Sequence, residues 1–151
     1  MRTCYEIICA LTLLMSALTS EAQTIPEVLA RIVKDSEGGC VTLTYRFSAS
    51  GDVAVEDEGT VEVQGNLWHL KSKALEIYTD SASTWIIDVD DKEVIVEPAW
   101  SYDDLEKFHQ SVMSKGAAMD IKILSETVSD KKPSSCFTPS FGPEWVVTDL
   151  R

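Results

Sequence analysis

The sequence predicts an α+β domain, a curved antiparallel sheet with helices laid against it. Three observations predict this. From Gly59 to Pro98 the chain runs in short segments rich in β-branched and aromatic residues: GTVEVQG, NLWHLKS, LEIYTD, SASTWIIDVDD and KEVIVEP. Each is bounded by Gly, Asn, Asp or Ser, the residues that turn a chain between strands. Apolar residues at helical spacing precede this block from Thr24 to Asp35 and follow it between Ser101 and Gly116. Strands joined by tight turns form a meander, and a meander with one apolar face must cover it with a sheet, a helix or a ligand.

Taken in order, the first helix has Thr24 and Glu27 at capping-box spacing and Pro26 in its first turn. Ile25, Val28, Leu29, Ile32 and Val33 make one apolar stripe, and Glu27 and Arg31 pair at i,i+4 on the other side. Lys34 to Gly39 ends it. Cys40 to Ala49 is the first strand, alternating Leu43, Tyr45 and Phe47 with Thr42, Thr44 and Arg46. The second carries Val53, Val55, Val61 and Val63 and ends at Gly65-Asn66, a hairpin signal. Trp68 and Leu70 share a face of the third, Ile77 and Thr79 mark the fourth, and Trp85, Ile87 and Val89 the fifth. Asp90-Asp91-Lys92 turns the chain into Val94 and Val96, and Pro98 stops the sheet. Ser101 caps a second helix lined by Leu105, Phe108 and Val112 and ended by Gly116. Met119, Ile121 and Ile123 then alternate, Lys131-Lys132-Pro133 breaks the run, and Phe137 to Phe141 and Trp145 to Leu150 form two short closing segments.

The N-terminus speaks to compartment. Arg2 precedes an apolar run from Ile7 to Leu18, too short for the roughly 20 residues of a membrane span. Ser20-Glu21-Ala22 follows with small residues at the positions a signal peptidase reads, so residues 1–22 read as a secretory signal and residues 23–151 as one soluble domain. Cys4 and Cys9 fall within the signal. Cys40 and Cys136 remain, either paired in an oxidising compartment or as two buried thiols. The formal charge of −12 repels nucleic acid and anionic membrane surfaces, which excludes both as main partners.

Catalytic constellations are missing. The chain contains no G-x-S-x-G, P-loop, G-x-G-x-x-G, C-x-x-C or H-E-x-x-H motif. His69 and His109 lack partners at metal-ligand spacing and read as ordinary surface or half-buried residues, and Asp88 to Asp91 reads as a hairpin turn rather than a calcium loop. No catalytic residue, metal or cofactor is expected, and the chain does not read as an enzyme. Large apolar side chains on strand faces are its main resource. They either fill a core or line a cavity between sheet and helix.

G-x-V-x-V-x-G-N-x-W at Gly59 to Trp68 and D-S-x-S-x-W at Asp80 to Trp85, with TLTYRF before them and CFTPSFGPEWVVTDLR at the end, resemble the LolA-like family of periplasmic lipoprotein carriers. The family typically has D-G-x-x-x-W at the second motif, and its carriers are longer. The resemblance implies an unclosed β-barrel with helices over its concave face and a hollow for lipoprotein acyl chains. It implies a monomeric soluble periplasmic protein, loaded by an inner-membrane donor complex and unloaded to an outer-membrane acceptor. On that expectation the first helix is a lid, Arg46 is the candidate for the arginine that holds it, and the acyl chains meet Val28, Leu29, Ile32, Val33, Leu43, Tyr45, Phe47, Val61, Val63, Trp68, Leu70, Ile77, Trp85 and Ile87. The alternative expectation is a secreted interaction or sensor domain whose hollow is filled by its own side chains.

Overall fold

A computed structural model describes residues 25–50, 55–73, 75–101, 103 and 118–151. One helix, α1 (Ile25–Gly38), leads into an eight-stranded sheet. Its strands are β1 (Cys40–Ser50), β2 (Val55–Gln64), β3 (Leu67–Lys71), β4 (Leu75–Thr79), β5 (Ser83–Asp88), β6 (Glu93–Pro98), β7 (Ala118–Ser129) and β8 (Val146–Asp149). The order across the sheet is β7-β1-β2-β3-β4-β5-β6-β8, so β7 and β8 are its edges and the sheet does not close. The mixed α+β class and the open sheet agree with expectation. The expected signal segment lies outside the described residues, as does the expected second helix apart from Ser101 and Asp103.

The hairpins follow from local chemistry. Gly65 at φ +59° supplies the positive angle that a two-residue turn needs at its first central position, joining β2 to β3. Asp80 accepts from the amides of Ala82 and Ser83 and closes the β4–β5 turn. Asp88 accepts from the amides of Asp90 and Asp91 between β5 and β6, at 3.1 and 3.0 Å, as a turn aspartate does. β7, twelve residues long, ends at Ser129, just before the break expected at Lys131-Lys132-Pro133. Two features differ from expectation. β8 runs parallel to β6, so the sheet is not wholly antiparallel. The segment expected from Phe137 to Phe141 forms no strand: the 3-10 turn Ser134–Phe137 ends on its first residue, Phe137, which is directed inward with no exposure.

Pairing sorts the sheet into two faces, because directly opposed residues point the same way. Leu43, Val61, Leu70, Ile77, Ile86 and Ile95 stand opposite one another in succession across β1 to β6. This row belongs to the front face. Helix α1 packs over β1 and β2 on that side, since Arg31 reaches Glu126, the partner of Leu43 on β7. Ser36, buried in the last turn of α1, accepts from the amide of Gly65 at 3.1 Å and donates to the carbonyl of Val33. The helix is thereby tied to the β2–β3 turn.

The back face holds the row Thr42, Glu62, His69, Tyr78, Trp85 and Val96. Residues 130–145 cross it on the way from β7 to β8. Lys132 starts this crossing by donating its amide to Gln64 Oε1 at 2.7 Å while Gln64 returns a bond to the Lys132 carbonyl. Phe141 and Trp145 finish it by packing on Ile87, Val94 and Val96.

Candidate functional site

The front face is where most of the expected acyl-contact residues meet. Its central row is aliphatic for six strands, and Leu43, Val61, Leu70, Ile77 and Ile86 each expose 5% or less. A second row, Val41, Val63, Trp68, Thr79, Thr84 and Glu97, flanks it on one side and becomes polar toward β6. The hydroxyls of Thr79 and Thr84 bond one another at 3.0 Å, and the Trp100 amide donates to Thr84. On the other side stands Tyr45, opposed to Gly59. Ile32 from α1 is fully buried and Val33 half-buried. The side chains of Val28, Leu29 and Phe47 lie outside those described.

Two expected members belong elsewhere. Trp85 opposes Tyr78 and Ile87 opposes Glu76, which puts both on the back face, away from Ile77 and Trp68. Ile86 takes their place on the front. Strand β5 is buried on both faces, so alternation along it separates two sets without saying which set looks at the helix. Arg46 is likewise on the back face, where it bonds the exposed Glu58 at 3.1 Å and cannot hold α1. Arg31 of the helix makes the tie instead, a two-pronged contact to Glu126 at 2.5 and 3.0 Å.

Cys40 and Cys136 are free thiols rather than a disulfide. The 3-10 turn points Phe137 in and leaves Cys136 exposed, while Cys40 is wholly buried. Burial pushes the Cys40 thiol up, and Glu62 nearby adds to the shift. Neither effect favours a reactive thiolate.

The polar group that spacing did not single out is on the back face. His69 Nε2 meets Glu76 Oε1 at 2.7 Å, its Nδ1 lies 3.7 Å from Glu62, and its ring stacks on Tyr78 with centroids 4.0 Å apart. Tyr78 donates to the same Glu76 oxygen at 2.8 Å, and Lys132 bonds Glu62. The hydrogen bond from His69 holds the Glu76 carboxyl below the usual carboxylate range, against the opposing effect of burial, and the Tyr78 bond lowers it further. Burial first, and Glu76 next, raise the Tyr78 phenol. His69 and Tyr78 are nine residues apart in the chain and meet only because β3 pairs with β4; a register assignment was the signal that would have found them. All members have partners, and no group of three or more His, Cys, Asp or Glu side chains among the described residues is placed to hold a metal ion. The arrangement ties β2, β3 and β4 to the crossing segment.

No protein-family model matches the chain, and no curated protein matches it. Among solved structures, it is similar to an uncharacterized conserved protein from Thermus thermophilus, with a TM-score of 0.55 and 10% identity over 84% of this chain and 99% of the other. At that identity the likeness is one of fold. No helix among the described residues is long and apolar enough to cross a membrane.

Proposed function

We propose that this protein is a carrier that shelters acyl chains of lipids or lipoproteins against the front face, beneath α1. In this reading it works in the periplasm as a monomer, loaded at the inner membrane and unloaded toward the outer membrane, as the resemblance to LolA-like carriers implies. It performs no covalent chemistry and needs no cofactor. The observation that supports it best is the aliphatic row from Leu43 to Ile95, six strands wide, with α1 laid over β1 and β2 at one end. Each methylene moved from water onto such a surface is stabilised by about 0.8 kcal/mol, so a modest length of acyl chain suffices for binding.

A second reading, an envelope interaction or sensor domain with a filled core, is favoured by the very low exposure of that row from Leu43 to Ile86. One experiment separates the two. Protein isolated gently from its host is examined by native mass spectrometry, and the delipidated protein is titrated with an environment-sensitive fatty-acyl probe. A carrier retains lipid or takes up the probe. Absence of both outcomes overturns the carrier and leaves the filled domain.

A further inference from the structure

Tyr45 exposes only 4% of its surface, and its hydroxyl is buried with no hydrogen-bond partner among the described residues. A buried hydroxyl left unpaired costs about 1–3 kcal/mol. The ring itself has a plain structural purpose, because it lies over Gly59, where an added Cβ would come within 2.5 Å of the hydroxyl oxygen and 2.8 Å of Cζ. Phenylalanine would cover the glycine as well and leave nothing unpaired. The ring is therefore explained by the sheet and the oxygen is not. This oxygen sits at the border of the aliphatic row, on the same face as Leu43 and Val61.

We infer that Tyr45 reads the head of the bound lipid, its hydroxyl donating to the carbonyl oxygen of a neutral acyl ester whose chain lies along the row from Leu43 to Ile86. This rests on the carrier reading above. Asp57, on the same face two residues from Gly59, sets the preference between head groups. Burial, with Asp57 second, raises the Tyr45 phenol, so the hydroxyl keeps its proton and acts as a donor. The same carboxylate repels a fatty-acid anion and leaves a neutral ester unaffected.

Three probes of equal chain length test this by displacement of a fluorescent acyl reporter from the whole exported chain: a monoacylglycerol, the matching fatty acid at neutral pH, and an alkane with no head group. The wild type is expected to bind the ester about tenfold more tightly than the fatty acid. Tyr45→Phe is expected to lose about tenfold in ester affinity and to leave alkane affinity unchanged, as loss of one buried neutral hydrogen bond requires. Asp57→Asn keeps the acceptor for the Glu58 amide and should narrow the ester preference severalfold. Unchanged ester affinity in Tyr45→Phe, with the wild type still binding alkane and ester, overturns the head-group assignment and leaves the carrier standing. A wild type that binds none of the three probes overturns the carrier reading itself, and this inference with it.

Discussion

The two faces of the sheet are built from the same strands and do opposite things with polar groups. On the back, Glu62, Lys132, His69, Glu76 and Tyr78 satisfy one another within one chain of contacts, and an aromatic cluster of Trp85, Phe141 and Trp145 closes the rest. On the front, the central row is aliphatic, and the buried Tyr45 hydroxyl is left without a partner among the described residues. The back face is finished by its own C-terminal segment. The difference teaches where to look for a ligand: on the side where a buried polar atom has no partner among the described residues.

The largest expected effect tests whether the back face is purely structural. Phe137→Ala empties a fully buried site where the 3-10 turn meets β3 and should cost about 3–5 kcal/mol, read as a lower urea midpoint. Acyl-probe affinity of the folded fraction should not change. Ile77→Ala on the front should cost about 2–5 kcal/mol and weaken probe uptake as well. Loss of uptake in Phe137→Ala, or retention in Ile77→Ala, would break the division between the faces.

Gly59→Ala comes next. Its Cβ would sit 2.5 Å from the Lys71 carbonyl and from the Tyr45 hydroxyl, and the carbonyl cannot yield as a flexible side chain does. A loss of about 1–3 kcal/mol is expected, with only partial rescue in combination with Tyr45→Phe. Full rescue would mean that the tyrosine alone makes the close approach.

A smaller effect is pH-dependent. Glu76 is held below its ordinary carboxylate range in the folded state, so the unfolded chain binds the proton more readily. Its contribution is then complete above the unfolded value of about 4.3 and is lost as pH falls through the folded one. Glu76→Gln should flatten that part of the acid limb of a stability-against-pH curve.

The smallest effect concerns the tie between α1 and β7. Arg31 and Glu126 are partly exposed, at 42% and 27%, so Glu126→Gln should lower stability by no more than about 1 kcal/mol, and by less in high salt. If uptake of the acyl probe quickens in that variant, α1 gates the front face.

Much of the fold is legible in the chain. Val61, Val63, Leu70 and Ile77 fall on one face because β2 to β4 are joined by short turns and are more buried on that side, so alternation and burial agree. The same logic failed at Trp85 and Ile87. In β5 both faces are covered, and no polar side marks the outside. It also missed the His69 cluster, whose members lie on different strands and on the crossing segment, and it left Cys40 and Cys136 open between pairing and free thiols.

By itself, then, the sequence determined local quantities: where strands start and stop, which turns need Gly65 or Asp80, and that neighbours along a strand point oppositely. These depend on residue chemistry within a few positions of the backbone. Only the tertiary structure decided that Ile86 rather than Ile87 looks toward the front, that β8 joins β6 in parallel, that Arg31 rather than Arg46 ties the helix, and that the buried Tyr45 hydroxyl has no partner among the described residues. Each of those depends on register and on which segment crosses which face, relations between residues far apart in the chain that a period of two cannot encode.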